Sequence, residues 1–134
     1  MLGEQIGEER GTITARRVLP SDGHGPKVEV TFEASGNVLG ADATDLGTYS
    51  SVVQLNGALY GEGQGVIMTP RGEVIQWTGA GRGRFTEQGG VSFRGAVYYQ
   101  TTAEQFSRLN GVAVVYEHEA GQDGSVVTKY WEWK

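Results

Sequence analysis

The sequence contains no cysteine, only three prolines and no long apolar run. The absence of cysteine excludes a disulfide scaffold, a thiol nucleophile and thiolate metal sites, and it fits a reducing compartment. No stretch reaches the roughly 18 apolar residues of a membrane helix, and residues 1–5 lack the basic and apolar regions of a signal peptide. We therefore expect a cytoplasmic protein with no membrane association.

Positive charge is also scarce. The 134 residues include 11 Lys and Arg against 16 Asp and Glu, which gives a net charge of −5. Contacts with phosphates need clustered Lys and Arg, so we do not expect nucleic acid as a partner. The doublet Arg16-Arg17 is too short a basic run to change that expectation.

Signatures of catalysis and of metal binding are missing as well. A phosphate-binding glycine motif requires a strand-to-helix turn, and neither glycine run of this chain opens a helix. Glu117-His118-Glu119 places His118 on one face of its strand and both glutamates on the other, whereas metal ligands must converge. His24 lies in a glycine-rich loop and is expected to be a surface residue. We predict no catalytic residue, no metal and no cofactor.

Glycine, in contrast, is abundant, with 22 residues against a usual share of about 7%. Many of them alternate within two strands predicted at residues 59–68 and 73–85, which a turn at residues 69–72 joins. Because side chains alternate across a strand, the glycines of each strand share one face. The expected register places Gly65 opposite Trp77, whose ring would cover the bare backbone. The same register pairs Gly61 with Gly81 and Gly63 with Gly79.

Six further segments have strand-like patterns. Residues 36–47 have a weaker pattern, and we interpret residues 41–45 as a loop or an irregular edge. Residues 102–109 predict a short helix with an N-terminal cap to which Gln105 reaches back. The six strands are predicted at residues 8–19, 27–34, 48–55, 91–100, 112–119 and 125–134.

Consecutive hairpins in a chain of this length favour an all-β fold. We predict one domain, residues 1–134, built as an eight-stranded antiparallel up-and-down β-barrel with one short helix. Its last strand would pair with residues 8–19, which removes the free edges. A two-sheet β-sandwich is the alternative.

The two glycine-rich strands carry a resemblance to known proteins. Gly61-Glu62-Gly63-Gln64-Gly65 and Trp77-Thr78-Gly79-Ala80-Gly81 resemble the strands of small barrels of the calycin and allene-oxide-cyclase-like type. The chain is also similar to uncharacterised bacterial proteins of this size. The resemblance covers the central third of the chain, and the Gly-x-Trp signature of lipocalins near the N-terminus is absent. It implies a barrel in which a ligand cavity can form, and it carries over no catalytic residue.

The direction of the glycine face decides what lines the barrel. In the next strand four apolar side chains share that face, and burying each is favourable by roughly 1.5–3 kcal/mol. We therefore expect the glycines inside and the charged face outside. One extra loop residue would reverse this assignment, and a polar lining for an anionic or hydroxylated ligand would then consist of Glu62, Gln64, Arg82 and Arg84.

Large side chains must fill the space beside inward glycines. If the aromatic residues interdigitate, the core is solid; if they do not, a cavity remains for a small apolar ligand. The residues expected to contact such a ligand are Gly63, Trp77, Gly81, Phe93, Tyr116, Trp131 and Trp133.

These expectations leave three functions open. The favoured one is a non-enzymatic barrel that binds a small apolar or amphipathic molecule. The alternative is an isomerase or cyclase in which an interior carboxylate, such as Glu62 or Glu117, acts as general base. The third is a structural homo-oligomer that uses the outer face around Arg94 and Tyr98.

Overall fold

Eight strands close into an antiparallel barrel in the computed structural model, which describes residues 2–21 and 25–134. Each strand pairs with the next, and the last pairs with the first. The predicted up-and-down barrel is confirmed, and the β-sandwich alternative is wrong. His24 lies outside the described residues. The strands are β1 (Leu2–Leu19), β2 (Lys27–Val38), β3 (Ala41–Val53), β4 (Leu59–Met68), β5 (Val74–Phe85), β6 (Val91–Thr101), β7 (Val114–Ala120) and β8 (Ser125–Trp133).

The β4–β5 hairpin has the predicted register. Gly65 lies opposite Trp77, and the pairs Gly61–Gly81 and Gly63–Gly79 follow along the same ladder. The turn closes through a hydrogen bond of 3.1 Å that the Thr69 amide donates to the Glu73 carbonyl. Gly72 supplies the left-handed residue of this turn, with φ of 85°. The glycines face the interior, as the inward positions on both strands show.

The β2–β3 hairpin is longer than predicted, because residues 41–45 belong to a regular strand. Their assignment to a loop or irregular edge is wrong: β3 pairs with β2 without interruption from the Val38–Ala41 pair onward. Leu39 and Gly40 form the two-residue turn, both with positive φ (48° and 82°). Such turns match the twist of the flanking strands.

The first strand also extends beyond its predicted start at residue 8. It begins at Leu2, and its pairing with β8 runs from Leu2 to Thr12. A bulge between Ile13 and Ala15 then shifts the register against β2. A bulge adds one residue to one strand and changes which side chains face inward. As a result Arg16 lies opposite Val30, whose side chain is buried in the barrel.

One end of the barrel is closed and the other is open. A 3₁₀ helix, Glu104–Gly111, joins β6 to β7 and packs Phe106 and Leu109 into the core at the closed end. No side-chain cap begins this helix, so the predicted capping role of Gln105 is wrong. Within the described residues, no helix is both long and apolar enough to cross a membrane.

Candidate functional site

The middle of the barrel is shaped by aromatic rings that lie over glycines. A Cβ atom on Gly65 would collide with the indole of Trp77, and one on Gly47 would lie 2.6 Å from the same ring. A Cβ on Gly81 would collide with the hydroxyl of Tyr116. Glycine at these positions therefore makes room for side chains that reach across the interior.

The rings do not fill the interior completely. A cavity lies beside the facing glycines Gly63 and Gly79, and about 50 Å³ of it is open to the centres of water molecules. One water needs about 10–15 Å³ on that measure, so the space exceeds a packing defect. We call this space the inner cavity. Its walls include Tyr49, Gly63, Trp77, Phe93, Tyr116 and His118.

Four of the seven residues expected to contact a ligand lie in this wall. They are Gly63, Trp77, Phe93 and Tyr116. Gly81 lies beneath the Tyr116 hydroxyl, where it gives that side chain its position.

The other two, Trp131 and Trp133, were predicted to lie inside, and this is wrong. Both project from the outer face of β8, and 60% of Trp133 is exposed to solvent. The inward positions of this strand alternate with them and carry smaller or more polar side chains. These buried residues are Val126, Thr128, Tyr130 and Glu132.

The charged residues of the central hairpin lie outside the barrel. Glu62, Gln64, Arg82 and Arg84 are all exposed, and Glu62 alone of the four borders the inner cavity, so the four do not form the alternative polar lining together. Arg82 donates a hydrogen bond of 2.9 Å to the side chain of Gln54 on the outer surface.

The two carboxylates suggested as an interior base are also misplaced. Glu62 is exposed, and Glu117 points outward, where its carboxylate lies 3.7 Å from the guanidinium of Arg94. The same alternation turns His118 inward, and His118 and the two glutamates lie on opposite faces of the strand, as the sequence predicts. An interior base must therefore come from other residues.

His118 is the most distinctive polar group of the inner cavity. Its side chain is 6% exposed, and Nδ1 lies 2.7 Å from the hydroxyl of Thr128. Nε2 is buried and has no hydrogen-bond partner among the described residues. Burial lowers the pKa of His118 to about 4, against a smaller opposing effect of Glu119. The ring is therefore neutral near pH 7.

Aromatic rings surround His118. The ring centres of Phe32, Tyr49 and Phe93 lie 5.7, 5.6 and 6.4 Å from that of the imidazole. Burial raises the pKa of Tyr49 and of Tyr116 to about 12, so both phenols keep their protons at neutral pH. The cavity thus combines apolar walls with uncharged polar groups.

A second polar group, a pair of carboxyls, lies deeper in the barrel. The Tyr130 hydroxyl donates a hydrogen bond of 2.8 Å to Glu9, and Trp77 Nε1 donates one of 2.8 Å to Asp45 Oδ1. Burial and the neighbouring Asp45 raise the pKa of Glu9 well above its ordinary value, and burial also raises that of Asp45. The two carboxyls therefore retain a proton more readily than they would in water.

Sequence reasoning missed both carboxyls for a physical reason. Asp45 alternates inward with Ala43 and Gly47, while the apolar Leu46 faces solvent, which inverts the usual pattern. Glu9 alternates inward between Gly7 and Gly11. In each strand the acidic residue lies two positions after one small residue and two positions before another. This spacing is the signal that could have identified both carboxyls.

No protein-family model matches this sequence, and no curated protein matches it. Solved structures do resemble it. A protein of unknown function from Clostridium acetobutylicum aligns with a TM-score of 0.83, 13% identity and coverage of 98% of both chains. A β-barrel-like protein from Acinetobacter baumannii aligns with a TM-score of 0.83 and 14% identity, over 100% of this chain and 96% of that one. An enzyme from Penicillium herquei aligns with a TM-score of 0.68 and 17% identity, over 96% and 92%. The chain therefore shares the fold of small β-barrel proteins.

Proposed function

We propose that the barrel binds a small, mainly apolar molecule that forms one hydrogen bond in the inner cavity. The observation that carries this proposal is the buried, unpartnered Nε2 atom of His118 in the wall of that cavity. Leaving a buried polar atom unpaired costs about 1–3 kcal/mol. A ligand that bonds this atom would recover that cost, and this favours binding there. We also propose that the barrel is of the calycin-like type.

The surrounding rings support a flat ligand. Tyr49 meets His118 edge-on, at 80° between the ring planes, and Phe93 meets Tyr49 at 69°. Edge-to-face contacts of this kind add about 0.5–1.5 kcal/mol per pair beyond the burial of area. An aromatic ring in the inner cavity would extend this cluster, whereas a charged group placed in that cavity would lose its hydration among apolar walls.

Binding of 2-naphthol, measured by isothermal titration calorimetry, tests the proposal. His118→Phe keeps a ring but removes Nε2, so its affinity for 2-naphthol should fall about tenfold, in line with one lost hydrogen bond. His118→Gln keeps a polar atom near the position of Nε2 and should restore most of the affinity. Naphthalene, which forms no such bond, should bind the parent and both variants alike.

Two results would contradict the proposal. One is the absence of binding of both compounds to the parent protein. The other is an equal loss of naphthalene and naphthol affinity in His118→Phe, which would mean that the substitution deforms the cavity and that Nε2 forms no bond.

An enzyme that moves a proton, such as an isomerase or cyclase, is the second candidate. It is favoured by the neutral imidazole of His118 in the same cavity as the protonated phenol of Tyr116. A base and an acid on two sides of a substrate can exchange protons with it. The fungal enzyme of similar fold is consistent with this candidate. Binding is preferred because a pKa of about 4 makes His118 a weak base.

A ketone of suitable size separates the two candidates. In D2O an enzyme of this kind would exchange the α-protons of 2-tetralone faster than buffer does, and NMR would detect the exchange. His118→Phe should abolish the catalysed part. Exchange at the buffer rate, together with tight binding of 2-naphthol, would favour the binding function alone.

The homo-oligomer stays a prediction. Tyr98 is 57% exposed on the outer wall of β6. Arg94, on the same face, forms ion pairs of 3.7 and 3.2 Å with Glu117 and Glu119.

A further inference from the structure

We infer that the ligand class is a flat, apolar monoanion whose acidic group is bound by Arg16 at the open end of the barrel. This inference rests on the proposed function, because it names the ligand class of the same barrel interior. It depends on the size of the open end, on the rings that the open end shares with the inner cavity and on its charge.

The open end forms a wide depression, which we call the mouth. It lies opposite the 3₁₀ helix, and loops that include Pro26, Gly89 and Gly121 border it. About 460 Å³ of it is open to the centres of water molecules. Binding pockets for small molecules commonly have about 300–1,000 Å³. The mouth therefore has room for the body of a ligand, while the inner cavity admits only one end of it.

The mouth and the inner cavity adjoin each other and share two wall residues. The side chains of Tyr49 and Phe93 line both spaces, and their ring centres are 5.9 Å apart. A ligand that lies in the mouth can thus place one edge against these two rings, which in turn contact the imidazole of His118. Val28, Val30, Leu59 and Val91 supply apolar walls on the side of the mouth.

Arg16 gives the mouth a single formal charge among the described residues. Among the described residues, no Asp or Glu lines it and no ion pair involves Arg16. The neighbouring Arg17 differs, because its guanidinium lies 3.2 Å from the Glu29 carboxylate on the outer surface. The positive charge of Arg16 also lowers the pKa of Tyr49 against the larger effect of burial. The guanidinium therefore acts on the mouth itself.

An unpaired guanidinium beside apolar walls is complementary to one anion. Guanidinium groups bind carboxylates through two parallel charge-assisted hydrogen bonds, which are stronger than neutral ones. The protein has a net charge of −5, so its overall field repels anions, and the local cation must provide the attraction. A carboxylate at Arg16, with its aromatic body in the mouth against Tyr49 and Phe93, satisfies both conditions.

Calorimetric titration with 2-naphthoate and 2-naphthamide tests the inference, since the two compounds have nearly the same shape and differ in charge. The parent protein should bind the carboxylate at least tenfold more tightly than the amide. Arg16→Gln should remove that preference, and Arg16→Lys should keep part of it. Arg17→Gln is the matched control and should leave the preference within twofold of the parent.

Each outcome has a distinct meaning. Equal affinities of the parent for the carboxylate and the amide would overturn the role of Arg16 and leave the proposed function intact. Equal losses in Arg16→Gln and Arg17→Gln would also overturn it, because the effect would then be general electrostatics. If neither compound binds, and 2-naphthol does not bind either, the proposed function fails together with this inference.

Discussion

Trp77 and Asp45 join two strands that are not neighbours in the sheet. The indole Nε1 on β5 donates a hydrogen bond of 2.8 Å to Asp45 Oδ1 on β3, and the ring passes over Gly65 on the intervening strand. The ring also stacks on Phe32, at 26° between the planes. A single side chain thus supports the buried carboxyl and forms part of the wall of the inner cavity.

Replacing Trp77 with Phe should remove this hydrogen bond while keeping an aromatic ring. Asp45 Oδ1 would then lose the indole donor in a buried site, and a loss of about 1–3 kcal/mol in the free energy of unfolding is expected. Urea unfolding measures it. Trp133→Phe, at an exposed tryptophan, is the control and should change stability by no more than about 0.5 kcal/mol. Equal effects of the two substitutions would contradict the role assigned to Trp77.

Glycine at position 65 should be required by packing. The Cβ atom of Gly65→Ala would collide with the indole of Trp77, and displacing the ring should cost about 1–3 kcal/mol or more. Gly111→Ala is the matched control, because no atom lies within 4 Å of a Cβ built there, and it should be neutral or slightly stabilising. Thermal unfolding of both variants checks the pair. A stable Gly65→Ala variant would show that the ring can move without loss.

The central hairpin could be predicted because its turn and its facing positions agree. Pro70 and Gly72 fix the turn, and Trp77 opposite Gly65 fixes the register, so local and tertiary signals point to one structure. β3 could not be recognised in the same way. Its inward residues are small or acidic and Leu46 faces solvent, so the hydrophobic alternation that indicates a strand is inverted there.

The stability of the protein should depend on His118 in mildly acidic solution. Burial lowers the pKa of His118 from 6.5 to about 4, so between these values the unfolded chain binds a proton that the native state does not. Stability is therefore lost as pH falls from about 6.5 to 4, by roughly 3 kcal/mol in total. The free energy of unfolding of His118→Phe, followed over this range, should lack that decrease. Parallel pH profiles of parent and variant would contradict the assignment.

Glu9 should produce the opposite dependence. Its pKa is raised in the native state, so it favours folding when protonated, below its ordinary value of 4.5. This contribution is lost as pH rises from there toward the native pKa, because the unfolded chain releases the proton first. Glu9→Gln mimics the protonated carboxyl, so its free energy of unfolding should fall less than that of the parent as pH rises above 4.5.

Glu8→Gln provides the control for that measurement. Glu8 is adjacent in sequence but faces the outer surface, where it pairs with Arg10 at 3.7 Å. Its pH profile should follow that of the parent protein. If Glu8→Gln and Glu9→Gln alter the profile equally, burial of Glu9 is not the cause.

Only part of the candidate site could be predicted, because the size of a side chain does not determine which face of a strand it occupies. Trp77, Phe93 and Tyr116 could be identified because large rings on the glycine face must enter the barrel. Trp131 and Trp133 have the same size but the opposite phase on β8, and size alone does not determine phase. The pairing of His118 with Thr128 joins two strands and depends on a register that neither strand specifies by itself.

The bulge in β1 has a consequence for tolerance to insertions and deletions. From Gly7 to Ile13 the inward positions are odd-numbered, whereas after the bulge the even-numbered Arg16 lies opposite the inward Val30 and Arg17 turns toward Glu29. If the ladder continued without the bulge, Arg17 would face the mouth instead. Since two arginines stand side by side, a one-residue change in the length of this strand exchanges their places and preserves the cation at the mouth. The doublet protects the charge of the mouth against a kind of mutation that would ordinarily invert a strand.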